Sequence, residues 1–305
     1  MNISKNKRPI ILLYHSIDDR CGRADSWKLS VSPDNFRAQM QVLVSERTVI
    51  QLEELEQQLR RGDLKSGTAV ITFDDGYANN SMVAKPILEQ IGIPATAFIA
   101  TSFIGESEFW WDRLERILTD ATLWSEMVHQ IQIGPELIEI SPMTGRAETL
   151  RAMWARLRDT APPQREAILD FLEESLAAGV RGSVNRPLSA EEVTKLSDGP
   201  ISVGAHTVSH PWLTELTPSE LAREIADSKA TCEDLLGHPV STFAYPFGVY
   251  DAASLAAVAA QGFSLACSTV PTPVSDDSDL FALPRIAVAN WSAEDFIRRL
   301  DGERG

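Results

Sequence analysis

The stretch Ala69-Val-Ile-Thr-Phe-Asp-Asp-Gly76 is an apolar run that ends on two adjacent carboxylates. If this run is a buried parallel strand, it brings Asp74 and Asp75 to the carboxyl edge of a sheet, where α/β folds bind their ligands. Two neighbouring acids repel each other unless a cation or a shared proton relieves the repulsion. Because Asp-Gly is also a common turn pair, this stretch alone leaves an ordinary turn as the alternative.

A second stretch, Ile201-Ser-Val-Gly-Ala-His-Thr-Val-Ser-His210, predicts another strand and ends on two histidines four residues apart. On a helical turn this spacing would place both imidazoles on one face, within reach of one ion. His206, His210 and the carboxylate of Asp75 would form a two-histidine, one-carboxylate set with open positions for water and substrate. A lone histidine at a strand end is more often structural, but this combination favours a metal site.

The rest of the chain alternates between strand-like and helix-like segments. Strands are predicted at residues 9–16, 48–52, 68–73, 94–101, 201–205, 240–245, 263–268 and 281–288. Helices are predicted at residues 32–45, 52–61, 82–91, 190–196, 218–236, 252–261 and 293–300. About seven such units predict an α/β fold with a parallel sheet closed into a barrel.

Residues 105–188 interrupt this alternation and predict several helices with no obvious strand. We therefore expect residues 1–104 and 189–305 to form the barrel and residues 105–188 to be a helical insertion packed on it. The aromatic run Phe109-Trp-Trp111 could form a lid over a substrate. The helical spacing of Trp111, Leu114 and Leu118 favours a core-facing helix instead.

Composition narrows the function classes. A net charge of −15 argues against a nucleic-acid partner and suits a neutral or cationic substrate. The three cysteines are scattered and form no CxxC pair, which favours free thiols in a reducing compartment. No apolar run reaches about 18 residues, so no membrane span is predicted. The N-terminal region shows no signal-peptide pattern, and we expect a cytoplasmic protein.

Five motifs in order carry a family resemblance: Leu12-Leu-Tyr-His15, Thr72-Phe-Asp-Asp-Gly76, His206-Thr-Val-Ser-His210, Phe243-Ala-Tyr-Pro-Phe-Gly248 and Leu283-Pro-Arg-Ile286. Together they make the chain resemble the polysaccharide deacetylases, the NodB-homology group of carbohydrate esterase family 4. The resemblance covers about residues 9–104 and 189–300. It implies a distorted (β/α)7 barrel that removes an N-acetyl or O-acetyl group with a divalent metal, usually zinc, with cobalt or manganese as alternatives. We expect the substrate to be an N-acetylated carbohydrate.

The resemblance also implies roles for residues. Asp75, His206 and His210 would hold the metal, and Asp74 would be the general base that takes a proton from the attacking water. The backbone N–H of Phe247 would stabilise the oxyanion, with Pro246 shaping its turn. Substrate contacts are expected from Tyr245, Pro246 and Trp212.

Two departures from the family pattern stand out. Ala244 occupies the position where many members have an arginine that orients the base; Arg285 could reach Asp74 from another strand, or could be a surface arginine. No histidine follows His238, although the family often uses a late histidine as general acid. We take His15, at the end of the first strand, as the candidate acid.

Two alternatives to sugar deacetylation stay open. One is a hydrolase of the same fold that acts on a small non-sugar amide. The other is a carbohydrate-binding homologue that has lost catalysis, which the complete set of Asp74, Asp75, His206 and His210 disfavours.

Overall fold

The structure is a computed structural model that describes residues 7–19, 25–120, 129–133, 136–140, 145–176, 178 and 185–300. The chain divides into two compact units. The barrel unit comprises residues 1–19, 28–106 and 187–305, and the insertion unit comprises residues 20–27 and 107–186. Within the described part of the chain, every helix is too short or too polar to cross a lipid bilayer.

Strands and helices alternate through most of the barrel unit. The strands are β1 (Ile10–Tyr14), β2 (Ser16–Ile17), β3 (Ser30–Val31), β4 (Thr48–Val49), β5 (Thr68–Phe73), β6 (Ala95–Ile99), β7 (His129–Ile133), β8 (Glu136–Ile140), β9 (Ile201–Ala205), β10 (Thr242–Ala244), β11 (Leu265–Cys267) and β12 (Ile286–Ala287). The helices are α1 (Pro33–Glu46), α2 (Leu52–Arg61), α3 (Lys85–Ile91), α4 (Trp110–Asp120), α5 (Arg146–Arg158), α6 (Pro162–Ser175), α7 (Ala190–Ser197), α8 (Pro218–Leu236), α9 (Ala252–Ala260) and α10 (Ala293–Leu300).

Seven parallel strands form the main sheet in the order β11-β10-β9-β6-β5-β1-β12, and β4 pairs with the first residues of β5. Tyr14 of β1 is in register with Phe73 of β5, so neighbouring strands end at similar heights. A parallel bridge between Cys267 and Leu283 links β11 to the segment before β12. The curved sheet and its surrounding helices confirm the predicted distorted (β/α)7 barrel.

The two faces of the sheet carry separate hydrophobic cores because strand side chains alternate. The inner face contributes Ile11, Val70, Phe98, Leu265 and Leu283, together with two leucines of α2. The outer face packs other strand residues against the flanking helices. Each large apolar side chain contributes about 1.5–3 kcal/mol on burial. Asp74 follows Val70 and Thr72 on the inner face of the sheet. Its side chain therefore lies on that face, at the carboxyl end of β5.

The insertion unit contains α4, α5, α6 and an antiparallel pair, β7 with β8. Trp111, Leu114 and Leu118 are buried, as the helical spacing predicted for a core-facing helix. The expectation that this segment contains no strand is wrong. His129-Gln-Ile-Gln-Ile133 and Glu136-Leu-Ile-Glu-Ile140 are short runs rich in isoleucine, and their polar–apolar alternation is incomplete, so the more numerous helical patterns obscured them.

Candidate active site

The two stretches that stand out in the sequence meet at the carboxyl end of the sheet. Asp75 Oδ1 lies 3.6 Å from His206 Nε2 and 3.4 Å from His210 Nε2. One ligand atom from each of these three residues lies within 4.8 Å of the others. Donor atoms held about 2.0–2.2 Å from a tetrahedral zinc ion are about 3.3–3.6 Å apart. The two distances to Asp75 match donors arranged around one ion, and the two imidazole nitrogens lie within 4.8 Å of each other.

The surroundings of these three residues shift their pKa values in different directions. His206 Nδ1 donates a hydrogen bond to the Ala244 carbonyl oxygen at 2.7 Å, which directs Nε2 toward Asp75. Burial alone would lower the pKa of His206, but Asp74 and Asp75 outweigh it and raise that pKa. Burial lowers the pKa of His210 to about 3, despite the opposing charge of Asp75. Burial alone would raise the pKa of Asp75, but His206 and His210 outweigh it and hold the pKa below its usual range. A neutral imidazole and an ionised carboxylate are the forms that bind metal ions.

Backbone strain concentrates at this site. Among the described residues, only five that are not glycine have positive φ, and four of them are Asp75 (74°), Thr207 (66°), His210 (58°) and Phe247 (58°). Left-handed backbone costs such residues about 1–3 kcal/mol each, and it persists where surrounding contacts enforce it, commonly at functional sites. The strained positions thus coincide with the residues singled out from the sequence.

The segment between the two histidines is a loop, so the expected helical turn is wrong. Thr207 and His210 both have left-handed backbone, and the backbone N–H of His210 donates to Thr207 Oγ1 at 3.0 Å. The N–H of His206 donates to the Ile99 carbonyl, which continues the pairing of β9 with β6. The i, i+4 spacing brings the imidazoles together through this turn, with ring centres 4.9 Å apart.

Asp74 is paired with Arg285 inside the barrel. Both nitrogens of the guanidinium fork donate to the two oxygens of Asp74 at 2.7 Å, and Nε donates to the Ser268 carbonyl at 2.8 Å. Arg285 is fully buried, with its guanidinium over the Phe98 ring, which excludes the surface-arginine alternative. Burial alone would raise the pKa of Asp74, but the charges of Arg285 and His206 lower it below its usual value. Asp74 therefore stays ionised at neutral pH.

His15 is half-buried in the link between β1 and β2, close enough for a charge on it to lower the pKa values of Asp74, Asp75 and His210. Its carbonyl accepts a hydrogen bond from the Asn80 side-chain amide at 2.8 Å.

The preceding residue, Asn79, holds the same link. The side-chain oxygen Oδ1 of Asn79 accepts from the backbone N–H of Ile17 at 3.0 Å, and its side-chain Nδ2 donates to Ser16 Oγ at 2.9 Å. Sequence reasoning missed this asparagine pair. Its position three and four residues after Gly76 of the Asp-Asp-Gly motif was the available signal. In the structure the pair lies at the start of a π-helical turn (Asn80–Ala84).

Two aromatic side chains, Phe247 and Trp212, lie near His210. The Phe247 ring lies 4.5 Å from the His210 ring and 5.7 Å from that of Trp212, measured between centroids. Gly248 follows at φ +70°, and a Cβ there would lie 2.0 Å from Thr269 Oγ1, so only glycine fits. Thr269 Oγ1 in turn donates to the Phe247 carbonyl at 3.3 Å.

Tyr245 and Pro246, both expected to contact substrate, are buried. The Tyr245 hydroxyl donates to the Phe281 carbonyl at 2.9 Å, and its ring packs against Phe243. This placement gives the Tyr245 side chain a structural part in the core. Pro246 begins the short 3₁₀ turn that carries Phe247.

Solved structures with the same fold include deacetylases. The chain matches the Streptococcus pyogenes deacetylase PplD, solved in complex with acetate, with a TM-score of 0.64 and 21% identity over 96% of this chain and 98% of that one. IcaB from Ammonifex degensii matches with a TM-score of 0.63 and 16% identity over 99% of both chains. At these identities the likeness shows the fold.

Sequence comparison supplies the family. The Bacillus subtilis protein YxkH, whose name assigns it to the polysaccharide deacetylases, is 23% identical to this chain over 281 residues. The match covers 92% of this chain and 71% of YxkH. The family model described as polysaccharide deacetylase matches residues 61–129 and 165–266, more than half of the chain. Both acidic residues after β5 and both histidines after β9 lie inside these matches. The chain therefore belongs to the polysaccharide deacetylase family and is a hydrolase of that class, a carbohydrate deacetylase.

Proposed function

We propose that the protein removes the N-acetyl group of a carbohydrate with the help of a divalent ion held by Asp75, His206 and His210. The observation that carries the proposal is the convergence of these three donors beside a fourth residue, Asp74, whose two oxygens are held by an arginine. Two imidazoles and one carboxylate fit zinc best, and cobalt or manganese can occupy similar sites. When bound, such an ion would polarise the acetyl carbonyl and make a water molecule more acidic.

Asp74 is the proposed general base. Arg285 binds both of its oxygens, yet each carboxylate oxygen has two lone pairs, so acceptor capacity is left for the proton of an attacking water. Asp74 Oδ2 lies 3.9 Å from His206 Nε2, next to the proposed ligands. An ionised carboxylate held in one orientation is suited to accept a proton as the carbon–oxygen bond forms.

Phe247 is proposed to stabilise the oxyanion through its backbone N–H. Its left-handed backbone is supported from both sides, by Pro246 before it and by the contact of Gly248 with Thr269 after it. A backbone donor whose direction is set before the reaction stabilises developing negative charge without reorganising. Trp212, packed against the Phe247 ring, is proposed to line the substrate pocket.

His15 is proposed to protonate the leaving amine. It lies close enough to influence both carboxylates of the centre, and the Asn79–Asn80 pair holds the link that carries it. A protonated imidazole on this side could donate to the sugar nitrogen as the carbon–nitrogen bond breaks. The products would be acetate and a free amino sugar.

An acetate-release screen tests this function. Chelated protein, resupplied with zinc, cobalt or manganese, would be offered chitooligosaccharides and lipid-linked and nucleotide-linked N-acetyl sugars. We expect one sugar class to release acetate only when metal is restored. Release from small non-sugar amides alone, or full activity without metal, would contradict the proposal.

A further inference from the structure

The loop that carries His210 is held by a residue of α8, the next α-helix along the chain. Its segment Thr207–His210 begins and ends with left-handed backbone, at φ 66° and 58°. His206, by contrast, directly follows β9 and is fixed by the Ile99 and Ala244 carbonyls. Of the two histidines, His210 therefore depends more on contacts that hold the loop.

Glu224 provides the largest set of these contacts. Its Oε2 accepts from the backbone N–H groups of Val208 and Ser209 at 2.8 and 2.9 Å, and its Oε1 accepts from Ser209 Oγ at 2.7 Å. Hydrogen bonds to an ionised carboxylate are roughly twice as strong as neutral ones. One side chain thus binds both amides at the tip of the loop.

The helix that carries Glu224 is itself firmly placed. A capping box formed by Thr217 and Glu220 starts α8, and Leu221 and Ile225, on either side of Glu224, are buried in the outer core. On the opposite side of the loop, the N–H groups of Thr101 and Ser102 donate to the Thr207 and Val208 carbonyls. The loop is therefore held between α8 and the turn that follows β6.

We propose that Glu224 is a positioning residue for the metal site, which orders the loop so that His210 Nε2 faces Asp75. Glu224 is not one of the three clustered ligand residues, and it acts on the site through the backbone of residues 207–210. The inference rests on the proposed function only in taking His210 as a metal ligand. It predicts that loss of the Glu224 carboxylate weakens metal binding while leaving the barrel folded.

Cobalt binding to the full-length apoprotein tests this role without any substrate. The variants are Glu224→Ala, which removes all three acceptor contacts, and Glu224→Gln, which keeps the side-chain size but only one acceptor oxygen. The matched control is Glu233→Gln, because Glu233 lies on the same helix and accepts from the N–H of Val240, in a loop that leads to β10. The readouts are the Co²⁺ dissociation constant, the visible absorption bands of bound Co²⁺, and the unfolding temperature of the metal-free protein.

Loss of a residue that orients metal ligands typically costs about 10- to 100-fold in metal affinity. We expect a weakening of this size for Glu224→Ala, a smaller one for Glu224→Gln and none for Glu233→Gln, with altered Co²⁺ bands only in the Glu224 variants. The unfolding temperatures of the two glutamine variants should fall by similar amounts.

Wild-type Co²⁺ affinity in both Glu224 variants would overturn the positioning role, and so would equal weakening in Glu233→Gln. If the wild type binds Co²⁺ and the Glu224 variants bind it weakly, the role of Glu224 stands even if no sugar is deacetylated. In that case only the proposed function fails. A wild-type protein that binds no Co²⁺ would overturn both.

Discussion

The active site has two sides that differ although their carboxylates are adjacent in sequence. On the arginine side, Asp74 is bound by the buried Arg285, a cation that cannot lose its charge in a protein. On the histidine side, Asp75 lies beside His206 and His210. Unlike a guanidinium, their imidazoles carry a charge only when they are protonated. Arg285 supplies the countercharge of Asp74, and we propose that a bound metal ion supplies that of Asp75. Under this proposal, the difference separates a proton acceptor from a metal ligand.

The histidine side should lose metal binding and turnover together when one of the proposed ligands is removed. His210→Ala takes away one of three protein donors, so we expect metal affinity to fall more than the about 100-fold seen for loss of a supporting residue, and turnover to disappear with it. Elemental analysis of the purified variant measures how much metal it retains, and acetate release measures its turnover. His238→Ala, at an exposed histidine after α8, is the control. Full metal content in His210→Ala would exclude it as a ligand.

The arginine side should respond differently, with turnover lost and metal retained. Arg285→Gln removes the charge that lowers the pKa of Asp74, so the opposing effect of burial raises that pKa. Because the base must be ionised, the acidic limb of kcat/KM should move to higher pH. Hydrogen bonds to a charged group contribute about 1.5–3 kcal/mol, which corresponds to about 10- to 100-fold in rate.

Arg285→Lys keeps the charge but not the fork, and it should move the acidic limb less than Arg285→Gln. It also guards against a folding defect, since an unpaired buried carboxylate is strongly destabilising. A limb that stays in place, or shifts to lower pH, in Arg285→Gln would show that Asp74 is not the titrating base. Metal content measured alongside should equal that of the wild type.

The smallest effect is expected from Thr72→Val, which tests how much a hydrogen bond to Arg285 contributes on the arginine side. Thr72 Oγ1 accepts from Arg285 at 3.2 Å and donates to the Leu12 carbonyl at 2.8 Å. We expect the free energy of unfolding to drop by about 1 kcal/mol per lost bond and turnover to fall only severalfold. Thr96→Val is the control, because Thr96 also bonds inside the barrel, to Ser202. An equal loss of turnover in both variants would mean that Thr72 has no special link to Arg285.

The fold, and the clustering of the candidate site residues, were accessible from sequence because both follow from local patterns. Apolar runs that end on polar residues located Asp74, Asp75 and His206 at strand ends, and the barrel places such ends together. The missing arginine at position 244 pointed to Arg285 as a partner of Asp74, but spacing left a surface position equally open, and only the burial of Arg285 decided between the two.

Other features depend on contacts between distant residues, which local patterns do not contain. The left-handed loop between His206 and His210 is stabilised by Thr101, Ser102 and Glu224, so the i, i+4 rule predicted a helical turn instead. The asparagine pair after the Asp-Asp-Gly motif escaped notice for the same reason. The β7–β8 pair was missed because each strand is short and lies among helices.

The division of labour between Asp74 and Asp75 is tested most directly by comparing Asp74→Asn with Asp75→Asn. Co²⁺ affinity and acetate release would be measured on the same preparations. We predict that Asp74→Asn binds Co²⁺ as the wild type does while turnover falls by about 10²- to 10⁴-fold, the usual contribution of a general base. Asp75→Asn should lose Co²⁺ affinity. Equal loss of Co²⁺ in the two variants, or near-normal turnover in Asp74→Asn, would contradict the account.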